Sequence, residues 1–277
     1  MRFWKMHGLG NDYIVIDNRN EKFSDKQASD LAKRLCERRF SIGADGLLLV
    51  SNSKIAETKM RIFNADGSEA EMCGNGIRCF AKYCYENGIV SKQEFKVETL
   101  SGLKHVWLFL NGKEVAAVKV DMGVPNWEKS SIPMIGKGTF INENINVNSE
   151  IFKVTCLSIG NPHCVIFVDN VDNFPVNQIG PKIENHEVFP KKTNVVFVQV
   201  LKQNELKIRV WERGCGETLA CGTGTSAAVA ASNKLGKVGN KVIVHVLGGD
   251  LQLEVAERLL LSGAAEKVFE GKLFGEE

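Results

Sequence analysis

The chain has 277 residues, which is long for one hydrophobic core and fits two domains of about 100–150 residues each. Its composition, with 44% hydrophobic and 25% charged residues, is that of a soluble globular protein, and a net charge of +2 without a basic block argues against nucleic-acid binding. The N-terminus lacks the apolar run of a signal peptide and no stretch approaches the roughly 18 apolar residues of a membrane span, so we expect a cytoplasmic protein that does not bind membranes.

Hydrophobic patterning in the first half predicts helices embedded among strands. Apolar residues at helical spacing behind Ser24 or Asp25 predict a helix that runs to Phe40. A second helix follows Cys73, and Gly88 is placed to end it in a left-handed conformation. The other periodic segments predict strands, at residues 13–18, 47–50, 59–63, 95–99, 106–109 and 114–120.

The second half repeats the first at a nearly constant offset. Cys73 and Cys221 lie 148 positions apart, and each precedes a Gly-x-Gly turn that opens a helical segment. The strand after Asn161 resembles the strand after Asn11 with an insertion of two residues. Such fixed-period self-similarity predicts an internal duplication, with two similar domains related by a pseudo-twofold axis. The offset of 148 also pairs Gly46 with Asn194, Val50 with Val198, Arg61 with Arg209, Asn64 with Glu212 and Gly88 with Gly236.

The regular pattern loosens after Val120, where prolines, glycines and asparagines accumulate. We place the domain junction between Val120 and Pro125, because such residues favour turns and connections over regular structure. The predicted domains therefore cover residues 1–120 and 121–264. Some strand content is expected shortly after the junction, over residues 138–147.

Both cysteine turns have the chemistry of an anion site. The first N–H groups of a helix lack intrahelical partners and the helix dipole adds positive charge there, so a cysteine at this position should be easier to deprotonate. Under the pseudo-twofold axis, the two thiols would lie on opposite sides of one carboxylate-bearing carbon, which predicts racemisation or epimerisation. The N–H groups available to that carboxylate are those of Gly74 and Asn75 in one turn and of Gly222 and Thr223 in the other.

Removing the α-hydrogen of an amino acid requires preorganised charge stabilisation in a dry cavity, because this hydrogen is very weakly acidic. The helix N-termini can supply that stabilisation, and the sequence shows no signature of a pyridoxal phosphate site, so we expect no cofactor. His163, at the head of a strand, and Glu212, at the end of one, are candidates for tuning the ionisation of the thiols.

Two other uses of the cysteine pair stay open. A redox pair is conceivable, although the chain lacks the Cys-x-x-Cys spacing of thiol–disulfide enzymes. A single nucleophilic cysteine with His163 as its base is the other option, and it leaves the duplicated cysteine unexplained. The spacing of the eight cysteines offers neither a disulfide scaffold nor a zinc site, so we expect no metal. Most of the remaining cysteines are expected to be small buried hydrophobes: Cys36, Cys79, Cys84, Cys156, Cys164 and Cys215.

The segments around these residues resemble the diaminopimelate epimerase family, and the likeness runs over nearly the full chain. Proline racemases and phenazine-biosynthesis isomerases share the duplicated fold. Proline racemases typically carry His where Asn75 stands, so the chain resembles the epimerase branch. Five ordered motifs carry the resemblance: HGLGND at 7–12, MCGNGIRC at 72–79, GNPH at 160–163, ERGCGET at 212–218 and ACGTG at 220–224.

This resemblance implies an α+β fold in which each domain is a mostly antiparallel β-sheet or barrel wrapped around a central helix, with residues 265–277 returning to pack on the first domain. It implies a cofactor-independent isomerase that interconverts LL- and meso-2,6-diaminopimelate for lysine and peptidoglycan precursor biosynthesis. Cys73 and Cys221 would be the two acid/base residues, with His163 and Glu212 tuning them. The implied substrate-binding residues are Asn11, Asn64, Gly74, Asn75, Asn161, Asn194, Glu212, Arg213, Gly222 and Thr223.

One departure from the family pattern is visible at Gly46, where some relatives carry Gln. Glycine offers no side-chain contact, so we expect water or another residue to take that place. Two alternative functions stay open: a racemase or isomerase of another amino acid on the same fold, or a non-catalytic amino-acid-binding protein. Both cysteines and both Gly-x-Gly turns are present, which argues against lost catalysis. A homodimer is compatible with the sequence, which does not decide the oligomeric state.

Overall fold

A computed structural model describes residues 1–148 and 150–274, in which the chain forms two compact units. The first unit comprises Met1–Asp121 and the chain from Ser262 onward, and the second comprises Met122–Leu261. None of the helices in the described residues combines the length and the apolar character that crossing a bilayer would need.

The elements follow one another along the chain as a run of strands interrupted by helices. The first stretch contains β1 (Arg2–Gly8), β2 (Asn11–Asp17), α1 (Asp25–Cys36), β3 (Gly46–Ser51), β4 (Thr58–Asn64), β5 (Glu69–Ala70), α2 (Gly74–Glu86), β6 (Glu94–Thr99), β7 (Gly102–Asn111) and β8 (Glu114–Gly123). After a short 3₁₀ turn at Lys129–Ser131 come β9 (Glu143–Val147), β10 (Glu150–Ser158), β11 (Pro162–Phe167), α3 (Val176–Glu184), β12 (Asn194–Lys202), β13 (Glu205–Glu212), β14 (Gly216–Thr218), α4 (Gly222–Lys234), β15 (Lys241–Val246), β16 (Gly249–Val255), β17 (Leu259–Gly263) and β18 (Glu266–Lys272).

The first unit is a mixed, mostly antiparallel sheet around α2. Strands β2 and β3 run parallel, as do β4 and β6, while the pairs β1–β2, β3–β4, β6–β7 and β7–β8 are antiparallel. Helix α2 packs against β1, β2, β3, β4 and β7, and its residues from Gly74 to Cys84 are all buried. Helix α1 covers the opposite face, so β2 and β3 are buried on both sides and are almost continuously apolar.

Helix α1 begins where the sequence predicts and ends earlier. Ser24 and Gln27 form a capping box at its start. Its last residue is Cys36, so the predicted end at Phe40 is wrong, and the Phe40 side chain is 88% exposed. The chain turns back after Cys36, and the N–H groups of Gly43 and Ala44 donate to the carbonyls of Leu35 and Cys36, which the end of the helix leaves without intrahelical partners.

Strand β18 completes the first unit by pairing antiparallel with β1, from Arg2 opposite Lys272 to His7 opposite Glu266. Side chains join the two strands, and the ring of Phe3 meets that of Phe269 edge to face with 6.0 Å between their centroids. The returning segment was predicted over 265–277, of which 275–277 lie outside the described residues.

The second unit repeats this architecture around α4. Strands β11 and β12 run parallel, as do β13 and β15, and the pairs β9–β10, β10–β11, β12–β13 and β15–β16 are antiparallel. Helix α4 packs against β10, β11, β12, β13 and β16. Its small side chains are buried on nearly every face of the helix. The hydroxyls of Thr225 and Ser226 each donate to a carbonyl four residues earlier, so both hydroxyls have hydrogen-bond partners without solvent.

The two units share both element order and register. Each reads strand, strand, helix, strand, strand, short strand, central helix, strand, strand, from β1 to β7 and from β10 to β16. In the parallel pair of the first unit Tyr13 lies opposite Gly46, and in that of the second His163 lies opposite Asn194. The predicted α+β fold, built by duplication with a central helix in each half, is confirmed.

Tight packing at Gly180 in α3 gives a first testable prediction. A Cβ at this position would lie 2.6 Å from Cγ and 2.9 Å from Cβ of Trp211, whose indole N–H is bonded to Glu184 at 2.8 Å. We expect Gly180→Ala to lower the free energy of unfolding by about 1–2 kcal/mol, because the overpacking outweighs the helix-propensity gain of alanine. Urea denaturation measures this change.

Gly239→Ala is the matched control, because the nearest atom to its added Cβ is the carbonyl oxygen of Gln203 at 3.8 Å, an ordinary contact. We expect this control to change the free energy of unfolding by no more than about 0.5 kcal/mol. Equal stability of Gly180→Ala and wild type would contradict the packing argument.

Candidate active site

Cys73 occupies the N-cap position of α2, with an extended backbone at φ −137° and ψ 125°. Its Sγ lies 2.9 Å from the hydroxyl of Tyr13 and 3.6 Å from Oδ1 of Asn11. The same Asn11 oxygen accepts hydrogen bonds from the Tyr13 hydroxyl at 2.6 Å and from Nδ2 of Asn75 at 3.3 Å. The structure therefore brings Asn11 and Asn75, two predicted binding residues, together beside a predicted catalytic cysteine.

A network of charged side chains fixes the orientation of Asn11. Its Nδ2 donates to Asp45 at 2.7 Å, which leaves Oδ1 facing Tyr13 and Cys73. Arg38 bonds both Asp45 and Asp12, and Lys5 donates to Asp12 at 2.6 Å. Burial alone would raise the pKa of Asp12, but the hydrogen bonds from Arg38 and Lys5 lower it to about 2.

Arg78 stabilises the first turn of α2 through hydrogen bonds. Its guanidinium is fully buried and donates to the carbonyl of Gly74, to Oδ1 of Asn75 and to the carbonyl of Ala264, at 3.0–3.1 Å. Burial lowers its pKa from the ordinary value, and within the described residues its side chain forms no ion pair with a carboxylate. This buried positive charge adds to the helix dipole and favours an anion at the N-terminus of α2.

Cys221 occupies the same position at the start of α4, with φ −129° and ψ 111°. Its Sγ accepts from the N–H of Gly224 at 3.4 Å and lies 3.4 Å from the hydroxyl of Thr223. The side chain is buried, and burial together with the charge of Glu212 raises its pKa well above the ordinary value. The expectation that a helix N-terminus makes this thiol easier to deprotonate is therefore wrong for Cys221, because burial and a neighbouring carboxylate outweigh the dipole.

Glu212 ends β13 and accepts a hydrogen bond from the hydroxyl of Thr218 at 2.6 Å. Burial raises its pKa, and the hydrogen bonds from Thr218 and from the Cys221 thiol offset part of this shift. A carboxylate with a raised pKa beside a thiol can accept the proton of that thiol, which is the chemistry expected of a tuning residue.

His163 reaches the same cluster through side-chain contacts. Its Nε2 lies 2.9 Å from Oδ1 of Asn161, whose Nδ2 donates to the hydroxyl of Thr223 at 3.3 Å, next to Cys221. Complete burial lowers the pKa of His163 to about 3, with a further contribution from Arg213, so the imidazole is neutral at physiological pH. Its Nδ1 has no hydrogen-bond partner within the described part of the chain.

The Asn194 side chain contacts the backbone N–H of Arg213 and not the Arg213 guanidinium. The buried amide of Asn194 donates to the carbonyl of Pro162 at 2.8 Å and accepts from the N–H of Arg213 at 2.9 Å. The Arg213 guanidinium donates to the carbonyl of Lys191 at 3.1 Å and is exposed. Asn194 thus ties the start of β11 to the residue after β13, and Arg213 extends from that junction.

Asn64 and Gly46 lie opposite each other on β4 and β3. The exposed Asn64 amide donates to the hydroxyl of Ser68 at 2.9 Å and makes no hydrogen bond with Cys73 within residues 1–148 and 150–274. A Cβ on Gly46 would lie 2.8 Å from the carbonyl oxygen of Phe63, so the backbone approaches too closely here for a side chain without a local shift.

Burial of the remaining cysteines is as predicted with one exception. Cys36, Cys79, Cys84, Cys156 and Cys164 are buried, whereas Cys215 is exposed in the turn between β13 and β14. Cys215 lies between Gly214 and Gly216, with the charged residues Arg213 and Glu217 on either side. The described residues include no group of three His, Cys, Asp or Glu side chains placed to hold a metal ion.

Two residues beside the first cysteine turn were missed in the sequence, Tyr13 and Arg78. Tyr13 follows Asn11 by two positions, as His163 follows Asn161, so aligning the two halves could have identified Tyr13 as the counterpart of His163. Arg78 lies within a motif of the family resemblance, but its burial and its bonds to the first turn are apparent only in the fold.

Comparisons with known proteins test the family resemblance. The family model described as Diaminopimelate epimerase matches residues 3–128 and 155–268. Curated proteins named diaminopimelate epimerase are similar over the full length: one from Moorella thermoacetica is 52% identical, covering 98% of both chains, and one from Methanococcus maripaludis is 47% identical, covering 99% of both.

Solved structures share the fold at low sequence identity. A Bacillus anthracis phenazine biosynthesis protein of the PhzF family is 16% identical with a TM-score of 0.73, covering 99% of both chains. A hydroxyproline epimerase from Agrobacterium vitis, solved with bound trans-4-OH-L-proline, is 15% identical with a TM-score of 0.73, covering 98% of this chain and 91% of that one. The resemblance inferred from five motifs is confirmed, and the chain belongs to the diaminopimelate epimerase family.

Proposed function

We propose that the chain interconverts LL-2,6-diaminopimelate and meso-2,6-diaminopimelate without a cofactor, by removing a proton from one α-carbon and returning one to its opposite face. The observation that carries this proposal is the pair of cysteines, each of which caps a buried central helix in one half of a duplicated fold. Membership of the family at about half identity along nearly the whole chain supports the substrate.

Cys73 and Cys221 are the proposed acid/base residues. In one direction the thiolate of one cysteine takes the α-proton and becomes a thiol, while the thiol of the other gives its proton to the opposite face and becomes a thiolate. The configuration inverts, no proton is gained or lost overall, and the two sulfurs exchange roles. His163 and Glu212 tune this ionisation through the cluster around Cys221. The neutral imidazole of His163 and the raised pKa of the Glu212 carboxylate support these roles.

The reacting carboxylate is proposed to bind at the first turns of α2 and α4, on the backbone N–H groups of Gly74, Asn75, Gly222 and Thr223. Charge that develops on this carboxylate during proton removal is stabilised by the two helix N-termini, and near α2 also by the buried guanidinium of Arg78. Such fixed donors cost no reorganisation at the moment of reaction, which is what a cofactor-free site requires.

A diamino-diacid carries a second amino-acid end, which needs its own polar partners. Polar groups that are buried reject substrates without matching donors and acceptors, because their hydrogen bonds would be left unmade. We propose that this end, or the reacting amino group, is bound by Asn11, Asn64, Asn161, Asn194, Glu212 and Arg213. The thiol chemistry requires reduced sulfur, which supports a cytoplasmic location, where thiols are kept reduced.

The proposal is tested by incubating the reduced protein with LL-diaminopimelate in D₂O. Formation of the meso isomer with one deuterium at the inverted α-carbon is expected. Absence of both exchange and inversion in folded, reduced protein would overturn the proposal and favour a binding protein. A panel of other amino acids tests the remaining alternative, since a racemase of another amino acid would invert a member of that panel faster than diaminopimelate.

A further inference from the structure

Tyr13 lies closer to the sulfur of Cys73 than Asn11 does. Its hydroxyl lies 2.9 Å from Sγ and 2.6 Å from Oδ1 of Asn11, so both atoms are within reach of one hydroxyl hydrogen. The Tyr13 side chain extends from β2 toward the first turn of α2, where its ring tip would be 3.4 Å from a Cβ on Gly76. The Tyr13 side chain is buried, with 5% of the residue exposed.

A tyrosine hydroxyl carries one hydrogen, so it can donate fully to only one of its two neighbours at a time. When Cys73 is a thiolate, donation to Sγ is the stronger choice, because hydrogen bonds to an ionised acceptor are about twice as strong as neutral ones. When Cys73 is a thiol, the hydroxyl can donate to Asn11 and its oxygen can accept from the S–H. The hydrogen changes its acceptor while Tyr13 keeps its proton.

We propose that Tyr13 is a positioning residue that stabilises the Cys73 thiolate by donating its hydroxyl hydrogen to Sγ, and that it passes this hydrogen bond to Asn11 when the sulfur is protonated. The inference rests on the proposed acid/base role of Cys73 and deepens it. Asn11 is a fixed alternative acceptor, because its Nδ2 is held by Asp45 at 2.7 Å.

The charged and titratable groups around Tyr13 are compatible with this role. Cys73 at the N-cap of α2, Cys79 on α2 and Asp45 before β3 act electrostatically on its hydroxyl, and Arg78 on α2 adds positive charge near Cys73. Burial and the neighbouring sulfurs raise the pKa of Tyr13 well above its ordinary value, so the hydroxyl keeps its hydrogen at neutral pH.

The second unit places a different residue at the equivalent position. His163 lies opposite Asn194 as Tyr13 lies opposite Gly46, and its Nε2 bonds Asn161 as the tyrosine hydroxyl bonds Asn11. Beside Cys221 the charged neighbour is the Glu212 carboxylate, which favours a protonated sulfur. The tyrosine therefore gives the first cysteine a hydrogen-bond donor that the second does not receive from the matching position in the described structure.

The test compares wild type with Tyr13→Phe, which keeps the ring and removes the hydroxyl. Iodoacetamide labelling of Cys73 is followed from pH 5 to 10 by peptide mass spectrometry, since only the thiolate reacts. We expect the midpoint of this labelling profile to rise by about 1–2 pH units in Tyr13→Phe. At a pH below both midpoints we expect kcat/KM for the isomer deprotonated by Cys73 to fall about 10- to 100-fold, and to recover as the pH is raised.

Tyr83→Phe is the matched control, because Tyr83 is also buried and lies on α2 ten residues beyond Cys73. Its labelling midpoint should equal that of wild type. An unchanged midpoint in Tyr13→Phe, with a melting temperature close to that of wild type, would overturn the inference. Labelling needs no substrate, so this result is independent of whether the protein epimerises diaminopimelate, which the D₂O experiment decides separately.

Discussion

Replacing either Cys73 or Cys221 with alanine is expected to lower the rate of epimerisation by at least about 10³-fold, because each sulfur is needed to handle the proton on one face of the α-carbon. The remaining sulfur can still remove and return a proton on its own face. Each variant should therefore exchange the α-hydrogen of one stereoisomer with D₂O while leaving its configuration unchanged. The two variants should select opposite configurations at that carbon, which nuclear magnetic resonance of the separated isomers measures.

Cys215→Ala provides the control, because Cys215 is an exposed free cysteine in the same chain. It should keep the turnover of wild type, which separates loss of a reacting sulfur from the general loss of a thiol. Near-normal epimerisation by Cys73→Ala or by Cys221→Ala would contradict the two-base scheme. A burst of covalent adduct with substrate would instead indicate a single nucleophilic cysteine.

The duplication could be predicted because its markers are local. A cysteine before Gly-x-Gly starts each central helix, and α2 and α4 begin at Gly74 and Gly222 as expected. Gly88 and Gly236, which the common offset pairs, both adopt a left-handed conformation just after these helices, with φ of 66° and 68°. Such positions depend on backbone conformations that few residues tolerate, so they can be recognised without knowing the packing.

Elements that depend on tertiary contacts could not be predicted in this way. Strand β1 contains Lys5, a charged residue that is buried where it pairs with Asp12 and donates to the carbonyl of Gly43, so the local sequence does not predict its burial. Helix α3 begins after Pro175, which is compatible with a helix start, but it contains Pro181, a residue that usually argues against a helix interior. Both elements are held by their neighbours rather than by their own sequence pattern.

The ionisation of Cys221 also depends on groups that the residues next to it in the sequence do not reveal. Its position at a helix N-terminus predicts a lowered pKa, whereas burial and Glu212 raise it. Helix-dipole effects are worth roughly 0.3–1 kcal/mol at exposed sites, while burial of an ionisable group can shift its pKa by several units. The degree of burial is a property of the folded unit, so the sequence alone could not give the direction in which the pKa of Cys221 shifts.

We expect Glu212→Gln to make the Cys221 thiol easier to ionise and at the same time to reduce turnover. The Glu212 carboxylate raises the pKa of Cys221 by its charge and by accepting from the thiol, so its neutral replacement should lower that pKa. Turnover should nevertheless fall about 10²-fold, because the amide can neither accept the thiol proton nor offer a negative charge to a substrate ammonium group. Unfolding would also lower the midpoint and abolish turnover, because it removes the burial that raises the pKa of Cys221, so the variant must keep a melting temperature close to that of wild type.

The measurement pairs two readouts on the same protein. Labelling of Cys221 with iodoacetamide, followed by peptide mass spectrometry across pH, should give a midpoint below that of wild type, and the D₂O assay should give the reduced turnover. Glu217→Gln is the control, because Glu217 lies on the neighbouring strand β14 and pairs with Arg209 at 2.5 Å rather than with a cysteine. The control should leave the Cys221 midpoint in place. A Glu212→Gln protein with an unshifted midpoint and wild-type turnover would show that Glu212 neither tunes the thiol nor contacts the substrate, because both effects originate in the same carboxylate.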